Sequence, residues 1–232
     1  MRGEKGMQLI SVVMARVLWF VDLRDINPRG RALRYTLLPA LAARYRFAKY
    51  PYDTPENHPT PEAPGFRFQE GEFTNSEGIQ FMVSLIIHDD GLVADTRSST
   101  KDSEAFLVDL LQWAVKEFGL VFRPEMIHRK GYVSELIVSP SHSLNDLHPG
   151  LTQLGTRLSE LVSAPSYTVS YEPAGIFWSP DPTLELKPAL FRFERRLDAP
   201  FSTNKYFTQA ALQTDQHLQI LEEFESLLFG AS

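Results

Sequence analysis

The sequence contains no cysteine, and it lacks the short motifs that identify the commonest enzyme classes. Without cysteine among its 232 residues, a disulfide framework, thiolate catalysis and Cys-ligated zinc are excluded. No G-x-x-x-x-G-K-S/T, G-x-G-x-x-G, H-E-x-x-H or G-x-S-x-G segment occurs, which argues against the commonest NTPases, dinucleotide enzymes, zincins and α/β-hydrolases. No internal sequence repeat is found beyond a tripeptide, Phe-Arg-Phe, that occurs twice.

The composition is that of a folded globular protein. Hydrophobic residues make up 43% of the chain, aromatic residues 12% and charged residues 22%, which excludes a wholly disordered chain or a fibre. Since domains typically have about 100–200 residues, we expect a single large domain with its own core.

An apolar run near the start of the chain, residues 7–21, raises the question of export or membrane insertion. Arg16 interrupts the run, and its 15 residues are fewer than the ~20 that span a bilayer. We therefore predict a cytoplasmic chain with no membrane partner. Residues 15–22 are continuously apolar, which favours a first strand covered on both faces.

The charge is distributed unevenly along the chain. Residues 16–49 carry eight basic and two acidic side chains, or +6, and residues 1–15 add +1, so a net charge of −6 leaves −13 for residues 50–232. Sections of opposite sign indicate either nucleic-acid binding or pairing of the two sections with each other or with a protein partner. The candidate nucleic-acid-binding residues are Arg24, Arg29, Arg31, Arg34, Arg44 and Arg46.

The pattern of apolar residues and turn signals predicts an α+β fold with a mixed or antiparallel sheet covered by several helices. Three sections are expected: a basic strand–helix section (1–49) that docks on the body, a proline-rich linker (50–65), and an acidic α+β body (66–232). The hairpin signal Asp89-Asp90-Gly91 joins two predicted strands. The other elements expected are strands at 66–73, 131–139, 167–172 and 189–197, and helices at 31–47, 103–118 and from Thr214 onward.

Carboxylates form the most enzyme-like group in the sequence. Asp22 and Asp25 follow the first strand, and a second set surrounds the hairpin. Together they could hold Mg²⁺ and activate water for phosphodiester cleavage. The simpler interpretation is that Asp22 is a cap or pairs with Arg24, and that the hairpin aspartates form the turn. The weak catalytic candidates are Asp22, Asp25, His88, Asp89, Asp90 and Asp95.

Leucines recur at heptad spacing in residues 144–161, with Pro149-Gly150 interrupting the series. One interpretation is a helix that faces the core, and the other is a helix that pairs with another chain. The candidate interaction residues are Leu151, Leu154, Leu158 and Leu161.

These observations favour a non-catalytic protein–protein interaction component, either a homo-oligomer or a subunit of a larger assembly. The first alternative is a metal-dependent nuclease or phosphodiesterase that uses the clustered aspartates, and the second is a nucleic-acid-binding protein that uses the N-terminal arginines. No cofactor is expected, with Mg²⁺ required only by the nuclease alternative. The six histidines show no metal-ligand spacing, so no metal site is predicted from them.

Overall fold

The structure is a computed structural model that describes residues 6–30, 34–51, 65–183, 185 and 187–230. Eight strands and five α-helices are present in this part of the chain. They are β1 (Gln8–Phe20), α1 (Leu23–Ile26), α2 (Arg34–Arg44), β2 (Phe66–Thr74), β3 (Gln80–His88), β4 (Gly91–Thr96), α3 (Thr100–Phe118), β5 (Arg129–Ser139), α4 (Pro149–Val162), β6 (Gly175–Trp178), β7 (Phe191–Arg195), β8 (Tyr206–Ala210) and α5 (Thr214–Phe229).

The predicted α+β class is confirmed. The strands form one antiparallel sheet in the order β2-β3-β4-β1-β5-β8-β7-β6. The chain divides into two compact units. The N-terminal unit comprises Met14–Ser134 and Leu212–Thr214, and the C-terminal unit comprises Met1–Val13, Glu135–Ala211 and Asp215–Ser232.

The N-terminal unit buries helices α2 and α3 against its strands. Leu38 and Leu41 of α2 belong to the same buried cluster as Phe106 of α3 and Val17 of β1. Local signals fix the ends of α3, because the Ser99 hydroxyl accepts from the Asp102 N–H at 3.1 Å and Gly119 ends the helix at a φ of +63°. The predicted end of this helix is therefore confirmed.

The C-terminal unit has a smaller core. Leu136 and Val138 of β5 pack with Phe193 of β7, and α5 contributes Leu221 and Phe224. Leu221 and Phe224 lie three residues apart on α5, so they fall on the same side of the helix.

Both units have the same connectivity: a strand, a helical segment, three antiparallel strands and a closing helix. In the N-terminal unit the neighbouring strands are β2-β3-β4-β1, and in the C-terminal unit they are β6-β7-β8-β5. Helix α4 therefore occupies the place in the C-terminal connectivity that α2 occupies in the N-terminal one. The sequence shows no repeat because connectivity depends on the pattern of apolar and turn residues, not on residue identity.

The hairpin predicted at Asp89-Asp90-Gly91 is confirmed, since β3 and β4 pair antiparallel with His88 opposite Gly91. Strand β1, however, begins at Gln8 and not at residue 15. Residues 14–20 alternate between buried and half-buried, so the prediction of a strand covered on both faces is wrong.

The prediction of a strand at residues 167–172 is also wrong. The backbone N–H groups of Val169 and Tyr171 donate to the hydroxyl groups of Ser163 (2.9 Å) and Ser159 (3.0 Å). Side-chain acceptors thus take the place of a neighbouring strand. Strands β6, of four residues, and β8, of five, were not predicted. The predicted linker lies almost entirely outside the described residues.

Candidate interaction surface on helix α4

Helix α4 places the predicted leucines on one side. His148 caps its start by accepting from the Gly150 N–H at 3.0 Å, and Pro149 occupies the first turn, where a missing N–H costs no helical hydrogen bond. Leu154, Leu158 and Leu161 are 57%, 38% and 65% exposed, and Leu151 is half-buried. All residues of α4 are described, and Gly155 alone is buried.

The leucines of α4 are therefore not arranged as in a core-facing helix. We call the surface formed by Leu154, Leu158, Leu161 and Val162 the α4 face. Tyr167 and Tyr171, in the segment that follows the helix, are exposed as well. Apolar side chains concentrated in this way are typical of a site where another chain binds.

A different side of α4 attaches the helix to the C-terminal unit. Gly155 lies so close to the Tyr171 backbone that a Cβ at residue 155 would stand 2.6 Å from the Tyr171 carbonyl oxygen. Ser159 and Ser163 accept hydrogen bonds from the segment at 169–171. These polar contacts and the close approach of Gly155 hold the helix without covering its leucines.

The segment next to α4 is anchored by a buried arginine. Arg195, at the end of β7, is almost fully buried and forms an ion pair of 2.7 Å with Glu172. Its guanidinium lies 5.0 Å from the ring centres of both Phe201 and Tyr206. Because Glu172 directly follows Tyr171, this pair fixes the segment on which Gly155 of α4 rests.

The corresponding helix of the N-terminal unit behaves differently. Leu38 and Leu41 of α2 are only 5% and 1% exposed, because they belong to the core of that unit. The same position in the connectivity thus carries a buried leucine face in one unit and an exposed one in the other. The exposure of the α4 face is a property of its sequence and not of the fold.

Helix α4 is electrically neutral. Its two charged residues, Arg157 and Glu160, form an ion pair of 3.1 Å with each other. The chain as a whole carries −6, so the α4 face is a region where a second negatively charged chain meets no repulsion from the helix.

The structure brings some of the candidate carboxylates together. Asp22 caps α1 by accepting from the Arg24 N–H at 2.8 Å. The backbone carbonyls of Asp89 and Asp90 accept from Leu23 and Val21, both at 3.1 Å, which places the hairpin beside Asp22. Asp95 lies elsewhere, on β4, where both of its oxygens accept from the Arg16 guanidinium at 2.7 Å.

This grouping does not form a metal centre within the described residues. The Arg24 guanidinium lies 2.6 Å from Asp22, and its hydrogen bonds lower the pKa of that carboxyl to about 2. Asp25, Asp89 and Asp90 are exposed and His88 is half-buried. In residues 6–30, 34–51, 65–183, 185 and 187–230, no three histidine or carboxylate side chains lie where they could hold one ion.

Comparison with known proteins adds no function. The sequence matches no family model, and no curated protein matches it. In the part of the chain that the structure describes, no helix is long and apolar enough to span a bilayer.

Three of the candidate nucleic-acid-binding arginines pair with carboxylates of the N-terminal unit. Arg44 lies 3.0 Å from Asp109, Arg46 lies 3.0 Å from Glu72, and Arg24 pairs with Asp22 as described. Arg29 is exposed. Arg31 and the side chain of Arg34 lie outside the described residues.

Sequence reasoning missed a polar group around Asp109. The Tyr45 hydroxyl donates to Asp109 at 2.6 Å, and the Arg44 guanidinium lies 5.3 Å from the ring centres of Tyr45 and Trp113. Burial, followed by the hydrogen bond to Asp109, raises the pKa of Tyr45 well above its usual range. Because 64 residues separate Tyr45 from Asp109, no local pattern could have indicated the pair.

Proposed function

We propose that this protein is a non-catalytic protein–protein interaction component that self-associates through the α4 face. The observation that carries the proposal is the exposure of Leu154, Leu158 and Leu161 on a helix attached through a different side. A soluble chain gains by covering such a face, because burial removes apolar surface from water.

The size of this gain indicates how strong the association would be. Full burial of a leucine is worth about 1.5–3 kcal/mol, so burying the exposed fractions of the three leucines would contribute about 2–5 kcal/mol per copy. In a two-fold dimer the same residues count once in each copy. The total gain for the two copies is comparable with the estimated 4–15 kcal/mol of free energy that association costs in lost translational and rotational freedom. Tyr167 and Tyr171 add further apolar surface, and we therefore expect a reversible dimer.

A second copy of the chain is the proposed occupant, and the charges of α4 do not oppose it. Two chains of net charge −6 repel each other over most approaches. The α4 helix carries one positive and one negative side chain, already paired, so two α4 faces can meet without opposing like charges. Leucines spaced three and four residues apart can also interdigitate with the same series on another helix.

Sedimentation velocity of the full chain over a range of concentrations tests the proposal. The wild type should shift from monomer to dimer as concentration rises, and Leu154→Glu or Leu158→Glu should remain monomeric. Gln153→Glu is the matched control, because it introduces the same charge on the same helix away from the leucine face, and it should dimerise like the wild type.

Melting curves accompany each sedimentation run. Because Leu154 and Leu158 are exposed, their replacement should leave the monomer folded, with a Tm close to that of the control. A wild type that stays monomeric at every concentration would overturn self-association, as would a Leu154→Glu variant that dimerises like Gln153→Glu. A monomeric wild type would leave a different protein as the occupant of the α4 face.

A further inference from the structure

The N-terminal unit contains an apolar recess that its described side chains leave open. It lies among α1, α2, α3 and the strands, with a volume of about 250 Å³. Leu37, Leu38 and Leu41 line it from α2, and Leu110, Leu111 and Ala114 line it from α3. Of the described residues that line the recess, Asn27 alone is polar, and none is charged.

A space of this kind is unusual in a folded unit. Protein interiors are packed as densely as organic crystals, and voids larger than a water molecule are few. The recess is partly open to solvent, but a water molecule inside it would find at most one polar partner among the described walls, whereas an ordered water usually makes two to four hydrogen bonds. Apolar walls instead favour an apolar guest, as an engineered cavity of about 150 Å³ shows by binding benzene.

From this recess we infer that the N-terminal unit binds an uncharged apolar molecule or hydrocarbon chain. A cavity of about 150 Å³ holds the six carbon atoms of benzene. In the same proportion, a recess of about 250 Å³ would hold about ten carbon atoms. With no charged lining residue among those described, an ionised headgroup would have to remain outside. The guest is therefore either a small neutral molecule or the tail of an amphiphile. The inference is independent of self-association, since the α4 face belongs to the C-terminal unit.

Filling the recess with protein atoms is the first test. Ala114 is buried in the recess wall, whereas Ala105 is exposed on the same helix. We expect Ala114→Leu to raise the Tm by about 2–4 °C because it fills empty space. Ala105→Leu makes the same chemical change outside the recess and should leave the Tm nearly unchanged. A lower Tm for Ala114→Leu would show that the recess cannot accommodate even the added atoms of one leucine, and would overturn the inference.

Ligand binding is the second test, followed through the methyl NMR signals of leucine in the full chain. Added 1-decanol should shift a saturable subset of these signals in the wild type and in Ala105→Leu, and the shifts should be lost in Ala114→Leu. If decanoate produces the same shifts, the guest is the tail of an amphiphile, and if only decanol does so, it is a neutral molecule. Absence of saturable shifts with either compound, or equal shifts in all three proteins, would overturn the inference.

Discussion

Asp22 illustrates how far a single residue can be understood from its immediate neighbours. The sequence offers two roles for it, metal ligand or local cap, and the structure places it at the first turn of α1 with Arg24 bonded to its carboxylate. Because cap and partner are two residues apart, this arrangement was among the interpretations available from sequence alone. The lowered pKa of the Asp22 carboxyl follows directly from this contact with Arg24.

An NMR titration of the Asp22 carboxyl should give a midpoint near pH 2, and Arg24→Gln should move it toward the ordinary 3.8. The folded-state pKa lies below the unfolded value, so the pairing stabilises the fold above about pH 4. That contribution is lost as the pH falls from 4 toward 2. A midpoint near 3.8 in the wild type would show that the Arg24 contact does not persist in solution.

Tyr45 makes a less local contact that can be tested by removing one oxygen atom. In Tyr45→Phe the ring keeps its packing against Phe106, 4.9 Å away, while the hydrogen bond to Asp109 is lost. Asp109 remains partly exposed and bonded to Arg44, so we expect a loss of about 0.5–1.5 kcal/mol in denaturant unfolding. Tyr35→Phe, at an exposed position, is the control and should change the free energy of unfolding by far less.

At the scale of elements, the success of prediction depended on whether the deciding contacts were local. Helix α3 was recognised because its cap Ser99 and its terminating Gly119 are adjacent to it in sequence. The segment 167–172 alternates like a strand, but the hydroxyls of Ser159 and Ser163 bind its backbone instead. The spacing of apolar residues cannot show that side-chain hydroxyl groups compete with a neighbouring strand for these backbone N–H groups.

The leucine series of α4 shows the same limit at the candidate site. Its spacing correctly places the leucines on one side of a helix, but spacing alone cannot tell whether that side faces the core or the solvent. The outcome depends on Gly155, whose missing side chain lets the helix approach Tyr171 through a different side. In α4, the side that packs against the segment around Tyr171 is thus the side that carries the glycine, and the leucines lie on another side.

Gly155→Ala tests this attachment, because two effects of opposite sign compete. Helix propensity alone would stabilise the variant by about 1 kcal/mol. The new Cβ would lie 2.6 Å from a backbone carbonyl, and such overpacking typically costs about 1–3 kcal/mol. We expect net destabilisation by thermal melting, while Thr156→Ala on the exposed side should be neutral or stabilising. A higher Tm for Gly155→Ala would mean that α4 does not rest on Tyr171.

At the scale of the whole molecule, basic side chains of residues 16–49 are neutralised by carboxylates of the N-terminal unit. Its basic section forms ion pairs with carboxylates that are distant in sequence: Arg16 with Asp95, Arg44 with Asp109, Arg46 with Glu72 and Lys49 with Glu70. The sequence indicates the sign of each section but not the partners. A basic segment that is paired internally is a weaker candidate for binding phosphates.

We therefore expect that added salt does not weaken self-association. Raising the salt concentration screens the repulsion between two chains of −6 and leaves apolar contacts largely unaffected. Sedimentation at about 0.05 M and 0.5 M NaCl should show a dimer fraction that stays constant or rises. Dissociation at high salt would instead identify a contact made by the arginine-rich section.

The shared connectivity of the two units separates what the order of elements determines from what it leaves free. The same succession of strands and helices occurs twice, once with leucines of its first long helix buried (Leu38 and Leu41) and once with leucines of that helix exposed (Leu154 and Leu158). The order of elements therefore does not decide whether this helix turns its leucines to the core or to the solvent, and the surface of the helix can change without a change of connectivity.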